Sequence, residues 1–223
     1  MSTENYPFIH AKSSWMSAHE TLRLAQKLAE IGAAEGNIDS YMRQGVYDDY
    51  LQAFGEPEEG SSNFIATVPL LYAMTNALEL LVKGLMYVSH PKAVSKRIYK
   101  TPELIKKVRE EHPAETDILC FIDAYGSTDG LPELFAEFLK ENELSIEDFY
   151  GVRRYFAQTS FFSIVDRYKP IFYTVAQGRL FYQRVLDDIH AIMPTLEALK
   201  DGINEDGIPD AHVRGLYVSS DEG

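Results

Sequence analysis

Residues 71–88 read LYAMTNALELLVKGLMYV. Asn76, Glu79 and Lys83 interrupt the apolar run at spacings of three and four. Phe64, Val68, Leu71, Leu78, Val82 and Leu85 recur at helical spacing, with Thr75 filling the gap in the row. Leu81, Met86 and Val88 widen the apolar face until it nearly encircles the helix. The pattern predicts a helix from near Phe64 to His90-Pro91, where the proline disfavours helical backbone before it. A helix buried on almost every side belongs at the centre of a bundle. Asn76, Glu79 and Lys83 then form a polar stripe on a segment otherwise suited to burial.

The flanking segments are also helical in rhythm. A helix is predicted over about Ser14 to Ala34, with Trp15, Leu22, Ala25, Leu28 and Ala29 on one face and Gly32 and Gly36 at its fraying end. A weaker segment covers Ile38 to Phe54, and GEPEEGSSN at 55–63 reads as a loop. Thr101-Pro102-Glu103 starts another helix, whose apolar face is Leu104, Ile105 and Val108. Asp117 to Tyr125 is a short apolar segment. Pro132 to Asn142 is an acidic amphipathic helix. Ser145 opens a further helix with Ser-x-x-Asp, close to a capping box. The last long helix is expected to open around Pro170 and to run to about Met193, with Pro194 closing it. The predicted fold is an all-α helical bundle in three parts: an N-terminal helical segment and loop over 1–63, the bundle over 64–203, and a flexible tail over 204–223.

Composition limits the function classes. The chain has 223 residues, ample for a real core. Its single cysteine, Cys120, forms no internal disulfide and fits a reducing compartment, so a cytoplasmic protein is expected. No basic-then-apolar start marks a signal peptide. Glu79 and Lys83 break the most apolar stretch, so no membrane span is expected. The net charge of −13 argues against broad nucleic-acid or DNA binding. That average hides two basic islands. Residues 92–107 and 153–184 hold 12 of the 21 basic residues but only 2 of the 34 acidic ones. Brought together, they would make a focused anion site.

Three motifs resemble the HEPN family of helical-bundle domains. ALELLVKGL, residues 77–85, resembles that family's E-x-x-x-K helix, with Glu79 and Lys83 in register. KTPELIKKV, residues 100–108, resembles a K-T-H-D-L-like helix start, with Pro102-Glu103 in place of His-Asp. GVRRYFA, residues 151–157, resembles the Arg-Tyr element before the last long helix. The resemblance covers roughly residues 64–193. It implies a protein that binds a nucleotide, an RNA end or a protein partner through Asn76, Glu79, Lys83, Lys100, Arg153, Arg154 and Tyr155, and that forms a homodimer. Catalytic members carry an Arg followed after four to six residues by His. Here only Arg184 and His190 meet that spacing, with Val185 directly after the Arg instead of a polar residue. The enzymatic alternative is thus a metal-independent ribonuclease using Arg184 and His190. A third reading is a dimeric interaction protein with no nucleotide ligand.

Each candidate also has an ordinary structural reading. Glu79 and Lys83 point within about 40° of each other and suit an i,i+4 ion pair. They suit equally a partly buried stripe that faces a cleft or a second copy. Arg153 and Arg154 can anchor to Glu147 and Asp148, or bind phosphate while Tyr155 stacks. Arg184 and His190 point about 120° apart, which favours local ion pairs over a shared phosphate. The remaining histidines are scattered without ligand spacing, so neither a metal nor a cofactor is expected.

Overall fold

The computed structural model describes residues 6–36, 64–90, 101–150, 169 and 171–216. Within these the fold is all-α. The helices are α1 (Tyr6–Glu35), α2 (Phe64–Ser89), α3 (Thr101–Glu111), α4 (Thr116–Tyr125), α5 (Glu133–Glu141), α6 (Val175–Asp201) and α7 (Ala211–Gly215), with a 3-10 turn at Thr128–Gly130. Residues 146–150 are also helical. The sole β feature among the described residues is one isolated bridge, between Ile203 and Pro209.

Two compact units interleave along the chain. One gathers Met1–Arg23, Met74–Gly126 and His190–Gly223; the other gathers Leu24–Ala73 and Ser127–Ile189. The helices α1, α2 and α6 supply residues to both.

The first unit is built around the second half of α2. Burial there covers Met74, Ala77, Leu78, Leu81, Val82, Leu85, Met86 and Val88, so the apolar residues do nearly encircle the helix. Helix α1 packs on it antiparallel. Trp15 is fully buried and its indole N–H donates to the Leu81 carbonyl at 3.2 Å, while His10 stacks on Tyr87. Gly84 makes this approach possible: a Cβ there would overlap the Trp15 ring. Helix α3 runs parallel to α2. Thr101 meets Glu79 at one end, and about three turns on His112 and Glu111 meet Ser89 and His90. Helix α4 joins α3 through Arg109–Asp123 at 2.6 Å, and Asp117 accepts from Thr195 at the end of α6. His19 ties α1 to Glu197.

The second unit centres on the start of α6. Gly32, inside α1, lies against the Tyr182 ring, and the carbonyl of Gly36 sits where a Cβ on Gly178 would be. Gly36 takes φ +82°, the left-handed position that terminates α1. Gly32 is therefore a packing notch and not a fraying end. Phe135 of α5 packs edge-on against Phe181 of α6, with ring centres 4.7 Å apart. The helix at 146–150 opens with the expected reciprocal bonds, Asp148 N–H to Ser145 Oγ at 3.0 Å and Ser145 N–H to Asp148 Oδ2 at 3.2 Å. These bonds hold the Asp148 carboxyl below the usual carboxylate range.

Two boundaries differ from the sequence reading. Helix α6 opens at Val175, not around Pro170. Thr174 and Gln177 form a capping box in which Gln177 N–H donates to Thr174 Oγ1 and Thr174 N–H donates to Gln177 Oε1. It continues through Pro194 to Asp201, because Leu196 and Leu199 beyond the proline are fully buried. The segment from Asn204 to Leu216 is folded instead of forming a flexible tail. Asp210 caps α7 by accepting from Val213 N–H at 2.9 Å, and Val213 is fully buried. Among the described residues one helix, Val68–Ser89, is long and apolar enough to cross a membrane by length and composition, and 67% of its most apolar 18-residue stretch is buried within the protein.

Candidate functional site

The polar stripe on α2 lies where the helix is least covered. Asn76, Leu80, Lys83 and Tyr87 are all half-buried, and they fall on one strip at spacings of four, three and four. Glu79 stands at the edge of that strip and is buried, only 7% exposed. Burying a carboxylate is costly unless its oxygens find donors. Glu79 finds two. Lys83, one turn later, pairs with Oε1, and the hydroxyl of Thr101 donates to Oε2 at 3.1 Å. Thr101 is the first residue of α3, so the carboxylate also sits at the positive end of that helix's dipole. Glu79 thus joins two helices. It also fixes the root of Lys83, whose side chain keeps 33% of its surface open. The arrangement is a carboxylate-anchored ammonium on a half-open strip, with an amide one to two turns before it and a tyrosine one turn after.

Farther along α2, a second polar set lies inside the protein. Ser89 Oγ is 2.9 Å from His112 Nε2 and 3.4 Å from the Leu216 carbonyl. Ser89 and His112 are both buried. Burial pushes the His112 imidazole below its ordinary range, partly offset by Glu111 and Glu115. A neutral imidazole beside a serine resembles a nucleophile and its base, but both groups are closed off from solvent. They act as a structural link between α2, α3 and the folded C-terminal segment. Next to them, His90 Nε2 lies 2.8 Å from the Glu111 carboxylate, which Lys107 also approaches at 3.6 Å.

The other pair singled out by sequence lies on α6. Arg184 is exposed and its Nε donates to Asp188 at 3.0 Å, one turn on. His190 is exposed. Asp187 accepts from the Gln183 amide at 2.9 Å. Lys100, Arg153, Arg154 and Tyr155 lie outside the described residues, so the structure brings together only Asn76, Glu79 and Lys83 of the expected binding set. Sequence reading missed the part played by Thr101. Its place at the start of the helix was legible, but its bond to a carboxylate 22 residues upstream was not. Among the described residues, no group of three or more His, Cys, Asp or Glu side chains is placed to hold a metal ion. No known family, curated protein or solved structure matches the chain.

Proposed function

We propose that this chain is a non-catalytic, HEPN-like helical-bundle protein that binds a nucleotide or an RNA end through the half-open strip of α2. The observation that carries this reading is the buried Glu79 carboxylate, which holds Lys83 at the strip while bonding Thr101. An ammonium steadied in this way is prepared for a phosphate. Its position is fixed before the ligand arrives, so less side-chain freedom is lost on binding. Asn76 adds an amide on the same strip, and Tyr87, stacked on His10, borders it. The ribonuclease reading has less support. Its arginine and its histidine point about 120° apart on the same helix.

Thermal unfolding in the presence of adenosine and guanosine mono- and triphosphates and a short RNA tests the proposal. The wild-type midpoint is expected to rise with ligand concentration, and Lys83→Met is expected to lose that rise. A ligand response equal in both proteins would overturn the role given to Lys83. The same preparations, incubated with structured RNA and EDTA beside His190→Ala, are expected to leave the RNA intact. Cleavage by the wild type alone would instead establish the ribonuclease.

A further inference from the structure

A second place in the molecule combines a cavity with unused donors. In the unit made of Leu24–Ala73 and Ser127–Ile189, the start of α5 and the first turns of α6 line a half-open cleft of about 240 Å³. Its apolar lining comes from Leu131, Leu134, Leu180 and Phe181. Leu180 is 74% exposed and lies at the cleft, so it can cover an apolar group there. Arg184 and Gln177 also line the cleft. The bond from Arg184 Nε to Asp188 leaves the outer guanidinium nitrogens available. Gln177 spends its carbonyl oxygen on the Thr174 cap, which leaves its amide NH₂ as a donor. The backbone contributes as well. Helix α5 follows Pro132, which offers no side-chain cap, and the first of its N–H groups to be satisfied is that of Phe135. The N–H groups of Glu133 and Leu134 are thus donors without partners.

The lining supplies donors in excess of acceptors around an apolar hollow. The complement of such a site is an acceptor-only group on an apolar body. The volume suits a molecule of about ten heavy atoms, since small-ligand pockets begin at roughly this size. We propose that the cleft binds a small carboxylate carrying an apolar group, with Arg184, Gln177 and the start of α5 supplying donors to the carboxylate and Leu131, Leu180 and Phe181 taking the apolar part. Arg184 carries most of the charge recognition, because a guanidinium matches a carboxylate in both geometry and sign. The carboxylate of Glu133, on the same rim, opposes the ligand and keeps affinity modest. The site is separate from the α2 strip and does not depend on the function proposed for it.

The test is a titration of the full chain with phenylacetate, followed through backbone amide resonances, with phenylacetamide as the neutral counterpart. Saturable shifts are expected at Glu133, Leu134 and the residues from Gln177 to Arg184. Phenylacetamide should produce at most a small fraction of them. Arg184→Gln, a change at an exposed position, should weaken phenylacetate binding about tenfold or more. Glu133→Gln should tighten it about two- to threefold. Shifts that do not saturate, that phenylacetamide reproduces, or that survive unchanged in Arg184→Gln would each overturn the proposal.

Discussion

The middles of α2 and α6 carry the same local grammar, a carboxylate and a cation four residues apart. In α2 the acid comes first, Glu79 then Lys83; in α6 the base comes first, Arg184 then Asp188. The acid-first order agrees with the helix dipole and is the better one on an isolated helix. Surroundings separate the pairs further. Glu79 is buried and has a third member, Thr101, on another helix, whereas Arg184 is 52% exposed and pairs with Asp188, one turn along its own helix, whose side chain is 18% exposed. An ion pair becomes part of the architecture when burial removes water as its alternative partner. Left in water, the same spacing contributes little.

The sharpest break of this contrast is at Gly84, directly after Lys83. Gly84→Val would drive a side chain into the Trp15 ring and remove the indole's bond to Leu81. The backbone of a buried helix cannot easily yield. A loss of about 4 kcal/mol or more is expected, beyond the range of most point substitutions, and urea unfolding would measure it. A loss below about 1 kcal/mol would mean that Trp15 can repack, contrary to dense core packing.

Glu79 comes next. Glu79→Ala removes an acceptor that both Lys83 and Thr101 use and takes the negative charge from a buried position beside a half-covered ammonium. A cost of about 3 kcal/mol is expected, as when one member of a buried pair is removed. Glu79→Gln keeps the shape and one acceptor for Thr101, so it should cost less. If both variants cost the same, the charge is the whole effect and the bond to Thr101 adds nothing.

How far could these roles be read from residues alone? The start of α2 at Phe64, the Ser145–Asp148 cap and the buried face of α3 all follow from local spacing, and sequence displays local spacing directly. The Glu79–Lys83 pair was legible for the same reason. Its burial was legible only by implication, from the apolar residues around it. Helix α6 was misjudged because Pro170 and Pro194 drew attention away from Thr174-x-x-Gln177, a capping box present in the sequence, and from Leu196 and Leu199 beyond the second proline. The folded segment after Asn204 was hidden by its polar composition, although Asp210 three residues before Val213 is a cap signal. Contacts such as Ser89–His112 and Thr101–Glu79 join residues more than 20 apart. No periodicity records them; they exist only once α3 lies parallel to α2.

Ser89–His112 predicts a smaller, pH-dependent effect. Burial depresses the folded-state value of His112, while the unfolded chain takes up a proton near its ordinary value of about 6.5. Below that pH the unfolded state binds more protons, so stability falls as pH falls. Above it both states are neutral and this contribution is flat. Chemical unfolding from about pH 8 to 5 should show the decline below about 6.5. His112→Gln should lower stability throughout and flatten that part of the profile. An unchanged slope would mean that His112 is not the source of the dependence.

The smallest effect belongs to α6. Arg184→Ala removes an exposed pair in the less favourable order, so the expected loss is about 0.5 kcal/mol or less. Salt sharpens the comparison. Raising ionic strength from about 0.05 M to 0.5 M shortens the screening length to a few ångström. That should erase even this small difference between wild type and Arg184→Ala. The Glu79→Ala difference should persist, because its charges are shielded from the added ions by the protein around them. Equal salt sensitivity in the two variants would mean that Glu79 is wetter than its burial indicates, and that the two helices use one interaction in one environment.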